Sequence, residues 1–124
     1  MSDRLLVIPG TLPGLNEYIA AERTNRYKAA AMKREAESLV LWAAKQCLRG
    51  WKARGPVRME YTWVERNRRR DKDNISAYGR KIIQDALVKG GYLQGDGWAH
   101  ISGFSDAFAV DKGHPRIEVR ICQL

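Results

Sequence analysis

The chain has 124 residues, 44% hydrophobic and 29% charged, and a formal net charge of +8. That composition excludes a disordered polymer and is long enough to bury a core without disulfides or a metal scaffold. No apolar run is long enough to span a bilayer, and the basic balance favours a polyanion as partner.

The N-terminal stretch MSDRLLVIPGTLPG lacks a long apolar core, so no signal peptide is expected. Cys47 and Cys122 are the only cysteines. They supply no CxxC zinc site and point to reduced thiols in a cytoplasm. Residues 4–9 read as a first strand, and Pro9, Gly10, Pro13 and Gly14 as a loop. From Glu17 to Leu48 the pattern predicts one helix, with Tyr27, Ala31, Leu39, Ala43 and Leu48 on its buried side. Gly50, Gly55 and Pro56 end it. Residues 57–65 alternate, with Val57, Met59, Tyr61 and Trp63 on one face, which is the period of a half-buried strand. A second helix is expected from Ile75 to Lys89, its stripe formed by Ile75, Ile82, Ile83, Ala86 and Leu87. Strands at 98–109 and 116–122 complete the pattern, the last alternating Ile117, Val119 and Ile121. The expectation is a single α+β domain over residues 1–124, with two helices on a mixed sheet of about four strands.

Between the second strand and the second helix lies RNRRRDKDNIS, residues 66–76. Folding does not require such a density of positive charge. Arg66, Arg68, Arg69 and Arg70 are candidates to hold a nucleic-acid backbone, which positions DNA without reading bases. Asp71 and Asp73 form a carboxylate pair beside them. An EF-hand loop would need Asp or Asn where Ile75 stands and Gly where Ser76 stands, so that reading fails. In an extended segment both side chains leave one face and can reach one hard cation. The competing reading has Asp71 neutralise its neighbours while Asp73 or Asn74 caps the helix. Asp96, between Gly95 and Gly97, reads locally as a turn. His100 and His114 are isolated, and no phosphate loop, GxSxG elbow or HExxH helix is present. The loop RGWKARG, residues 49–55, is a second candidate DNA contact through Trp51.

The segment RDKDN followed by KIIQDALVKGGYLQGDGW resembles the RusA family of Holliday-junction resolvases. The resemblance covers residues 69–98 and, outside them, only the Pro-rich loop leading to Asn16. It implies a small RusA-like α+β fold, a homodimer, and an endodeoxyribonuclease that resolves four-way DNA junctions with Mg²⁺, or with Mn²⁺ as substitute. It implies that Asp71, Asp73 and Asp96 hold the metal and that Lys81 is a catalytic lysine. Lys72 and Arg80 join the arginine run as expected DNA contacts. Lys81 follows Asn74 by seven positions, about one helical turn more than in the founding branch of the family. Because Gly79 is a poor helix-interior residue, the stretch 75–80 is expected to be an irregular lead-in, with Lys81 in the first helical turn. A non-catalytic basic DNA-binding protein and a basic interaction module are the rival expectations.

Overall fold

The alternating apolar residues form strand β2 (Val57–Glu65), and Val57, Met59, Tyr61 and Trp63 are all buried. The computed structural model describes residues 3–124, so the first two residues of the stretch tested as a signal peptide lie outside it. Before β2 come β1 (Asp3–Pro9), α1 (Leu15–Thr24) and α2 (Arg26–Leu48). After it come α3 (Lys72–Lys89), β3 (Ile101–Val110) and β4 (Arg116–Gln123). The sheet is mixed, in the order β1-β4-β2-β3, and the chain is a small α+β domain.

Strand β4 pairs antiparallel with β1 and β2, while β2 and β3 run parallel. The two crossovers, from β1 to β2 and from β2 to β3, step the same way across the sheet. Right-handed connections therefore put the helices on one face. The core lies between the layers. Leu6, Ile8, Ile117, Val119 and Ile121 join the inward face of β2 and meet Val40 and Leu48 from α2 and Ile82, Ile83 and Leu87 from α3. The opposite face is charged, with Glu60 lying between Arg58 and Arg120. Among the described residues, no helix is long and apolar enough to cross a membrane.

The single helix expected from Glu17 to Leu48 is two helices. The chain breaks at Asn25, whose backbone is extended and whose side chain accepts the Tyr27 N–H at 2.7 Å, capping α2. There are therefore three helices, with α1 packed against α2 and α3. Tyr27, expected inside, occupies the first turn of α2 and is 72% exposed. Ala43 and Leu48 are buried as expected.

The lead-in expected at 75–80 is also corrected. Helix α3 starts at Lys72 and runs through Gly79 without interruption. Glycine in a helix costs roughly 1 kcal/mol against alanine. Packing offsets that here: a Cβ on Gly79 would meet the Trp63 ring at 2.7 Å, so only glycine lets α3 approach β2 this closely. Gly79→Ala improves helix propensity yet is expected to lower stability by about 1–3 kcal/mol through overpacking. The measurement is the urea midpoint at unchanged m value. A raised midpoint would show that the ring yields and that the contact does not set the helix position.

Candidate functional site

The C-terminal ends of β2 and β3 and the start of α3 enclose a cleft of about 800 Å³. Its lining includes Glu65, Arg68, Arg70, Asp71, Lys72, Asp73 and Phe108. Asp71 is the N-cap of α3, with extended backbone, and its side chain makes no capping hydrogen bond. Asp73 lies within the first helical turn, so the two carboxylates do not share an extended segment as expected. Both line the same cleft nonetheless, and both are exposed. Neither forms an ion pair among the described residues. The positive end of the α3 dipole favours negative charge at this point.

The arginines divide into two groups. Arg70 is spent on the protein: Nε donates to Glu65 Oε1 at 3.0 Å and Nη2 to Glu65 Oε2 at 2.8 Å. Its Nη1 donates to the Leu12 carbonyl at 3.0 Å and to Glu17 Oε1 at 3.3 Å. Glu65, only 8% exposed, is thus a buried carboxylate that the sequence reading missed. Its hydrogen bonds hold the Arg70 guanidinium above its usual value despite burial. The pair ties the end of β2 to the loop before α1. Arg66, Arg68 and Arg69 remain exposed, and Asn67 Oδ1 accepts the Arg69 N–H at 3.0 Å to turn the chain between them. Arg80, grouped with the DNA contacts, is ion-paired to Asp106 of β3 and lies 4.6 Å from the Phe104 ring centroid. Asp106 also accepts the Trp63 indole N–H at 2.9 Å. Lys72 faces the cleft, with Nζ 5.6 Å from the Phe108 ring centroid.

Two expected members stand elsewhere. Lys81 lies eight residues beyond Asp73, about 12 Å along a helix rising about 1.5 Å per residue. Its side chain, 63% exposed, pairs with Asp85 at 3.2 Å. Lys33 of α2 reaches the same carboxylate at 2.7 Å. Asp96 sits in the turn before β3, where the Ile101 N–H bonds to the Gly97 carbonyl. Ile101 pairs with Val57, at the start of β2, whereas the cleft opens at the far ends of both strands. Ten residues of β3 at about 3.3 Å each separate them by roughly 30 Å. Among the described residues, no three His, Cys, Asp or Glu side chains gather as a metal site. His100 and His114 do not line the cleft.

Asn74 has a role that local reading could not give it. Its Oδ1 accepts the Asn16 N–H at 2.7 Å, capping α1 from another helix. Gly14 permits this, since a Cβ there would meet the Asn74 side chain at 2.7 Å. The Gly14 N–H in turn donates to Glu17 Oε1 at 3.1 Å, the same oxygen that Arg70 reaches. The Pro-rich loop and the acidic segment, the two regions of resemblance, are therefore in direct contact.

In comparisons with known proteins, no family model matches the chain and no curated protein shows significant similarity. The resemblance stands on residues 69–98 and the loop to Asn16 alone.

Burial raises the Asp85 pKa, but hydrogen bonds and charge from Lys33 and Lys81 outweigh it and hold the carboxyl below its ordinary value. A depressed folded pKa contributes stability that is present above the unfolded value of about 3.9 and lost as pH falls through the folded one. The stability gap between wild type and Asp85→Asn is therefore expected to be full at neutral pH and to close in acid. Urea unfolding at a series of pH values checks this. A gap unchanged at low pH would mean that neither Lys33 nor Lys81 holds the Asp85 carboxylate.

Proposed function

We propose that the chain is a metal-dependent endonuclease that nicks branched DNA and works as a two-fold dimer. The observation that carries this reading is the pair of exposed carboxylates, Asp71 and Asp73, which form no ion pair among the described residues and line one cleft with Arg68, next in the chain to the exposed Arg66 and Arg69. Mg²⁺ is ordinarily held by one or two carboxylates together with substrate phosphates, so this all-oxygen pair suits it. When bound, the ion supplies Lewis acidity at a phosphoryl oxygen and a water of lowered pKa. Arg66, Arg68 and Arg69 attract the DNA backbone and release its counterions. The α3 N-terminus adds its dipole to the same phosphate. Lys72 places an ammonium in the cleft, where charge develops on the phosphoryl oxygens. On this reading Lys72 takes the part that the resemblance gives to Lys81. The Arg70–Glu65 pair fixes the floor on which these groups stand.

Asp96 requires the dimer. Strand β3 is a sheet edge of ten residues, with Phe104 and Val110 exposed along it. An uncovered edge of this kind pairs readily with another strand. Two copies joined antiparallel along β3, about an axis perpendicular to the sheet, set the start of one strand against the end of the other. The partner's Asp96 then approaches the cleft that holds Asp71 and Asp73. A four-way junction has two-fold symmetry, which two such sites match.

The separation of Asp96 from the pair also favours a second reading, a DNA-binding protein without turnover. Nicking of a synthetic four-way junction with and without Mg²⁺ decides between them. Asp71→Asn or Asp73→Asn is expected to abolish Mg²⁺-dependent nicking while gel shifts stay intact or tighten. Under saturating junction, Lys72→Ala is expected to slow nicking at least tenfold, about 1.4 kcal/mol in the barrier, and Lys81→Ala to leave it near wild type. No nicking by wild type at any Mg²⁺ concentration would sink the enzyme reading.

The shared site has its own test. Asp71→Asn and Asp96→Asn chains, each inactive alone, are expected to recover nicking when mixed and allowed to exchange. One of the two sites in the mixed dimer is then intact, in a particle of about 28 kDa, twice the 14.1 kDa chain. If each site lay within one chain, the mixture would stay inactive.

A further inference from the structure

A second cleft, of about 700 Å³, opens at the other end of the sheet. It is walled by Arg4 of β1, by Trp51, Lys52 and Arg54 from the connection between α2 and β2, and by Gln94 and Gln123. The lining contains three cations and no carboxylate. None of the three forms an ion pair among the described residues.

The loop that carries two of these cations is fixed. Arg49 and Gly50 adopt left-handed backbone and turn the chain sharply out of α2. The Trp51 N–H then donates to the Leu48 carbonyl at 2.8 Å and the Ala53 N–H to the Tyr92 carbonyl at 2.8 Å. The Arg54 N–H donates to Gln123 Oε1 at 3.2 Å. Ala53 is buried, so Lys52 and Arg54 project outward on either side of an anchored residue. Trp51 packs against the core and forms part of the cleft wall, which leaves it less free for base stacking. Three like charges around one concavity repel each other, and a bound polyanion relieves that repulsion. The neutral amides of Gln94 and Gln123 add hydrogen-bonding groups that carry no opposing charge.

We propose that this basic cleft is a second DNA-backbone site, holding phosphates of a duplex arm away from the phosphate that is cut at the first cleft of the same chain. This rests on the nuclease reading above. The nine residues of β2 separate the two clefts by about 30 Å. One turn of B-form DNA is about 34–36 Å, so one face of a duplex can meet both clefts of a chain. The first cleft then supplies the chemistry, and the second sets the direction in which the arm leaves it.

The experiment compares wild type with the triple variant Arg4→Ala, Lys52→Ala and Arg54→Ala. Binding to a long-armed four-way junction is measured by fluorescence anisotropy over a range of NaCl, without divalent metal. Each lost phosphate contact flattens the plot of log K against log salt by about 0.9, so the triple variant is expected to lose about 2–3 from the slope for each protomer, about 5 for a dimer that seats an arm in both clefts. A control triple, Arg23→Ala, Arg34→Ala and Lys45→Ala, removes equal charge from exposed helical positions and is expected to keep the wild-type slope. An unchanged slope in the triple variant overturns the second site while the nuclease reading stands. Equal flattening in both triples also overturns it, because net charge alone would then explain the effect. Loss of the nuclease reading shows instead as a wild type that binds but never nicks.

Discussion

Parallel pairing of β2 with β3 is the constraint on which the rest of the molecule depends. A parallel pair cannot be closed by a hairpin and needs a crossover, here α3. The helix must return along the sheet, so its start lies at one end and the turn after it at the other. Asp71 and Asp73 belong to the first end and Asp96 to the second. No rotamer change removes that separation, because it follows from the order of the connections. The same crossover presses α3 onto β2, where Gly79 makes room for Trp63. Trp63 passes the restraint on to β3 through Asp106, which Arg80 also holds. One face of α3 thus fixes the catalytic candidates and the edge strand in a common frame.

Positive charge is divided by function across this frame. Arg70 is locked in a two-point contact with Glu65, and Arg80 neutralises Asp106. Breaking such a partly buried pair leaves a charge without its partner, which is costlier than losing a surface contact. Arg66, Arg68 and Arg69 form no such pair among the described residues and stay exposed in the same run as the acidic pair. A run that reads as uniform in sequence is therefore part scaffold and part exposed positive surface.

The period-two alternations of β2 and β4 were legible because each strand has one face on a single core, and Val57 to Trp63 and Ile117 to Ile121 are buried accordingly. The apolar stripe of α3 was legible for the same reason. The break at Asn25 was not, since alanines and long side chains on both sides keep a helical pattern and the cap is made by one side chain. Gly79 misled because propensity is local while its contact with Trp63 joins two separate elements. The acidic pair stood out by charge alone. The duties of Arg70 and Asn74 did not, because Glu65, Glu17 and Asn16 become their neighbours only after folding. The place of Asp96 depended on whether the strand after α3 ran parallel or antiparallel, which composition does not encode.

The cap that Asn74 places on α1 has a consequence for local breathing. α1 buries only Ala21 among its ten residues. Its start is held by polar contacts, the Asn16 N–H on Asn74 and Leu12 and Glu17 on Arg70, together with the half-buried Leu15 and the stacking of Tyr18 on Tyr78. Elements with little buried apolar surface open locally at a fraction of the global unfolding free energy. Amide hydrogens of α1 are therefore expected to exchange ahead of those in α2 and α3. Such an opening would release Asn74 and one side of Arg70 while leaving the sheet paired, so the wall of the first cleft is expected to open at a lower free-energy cost than the core beneath it.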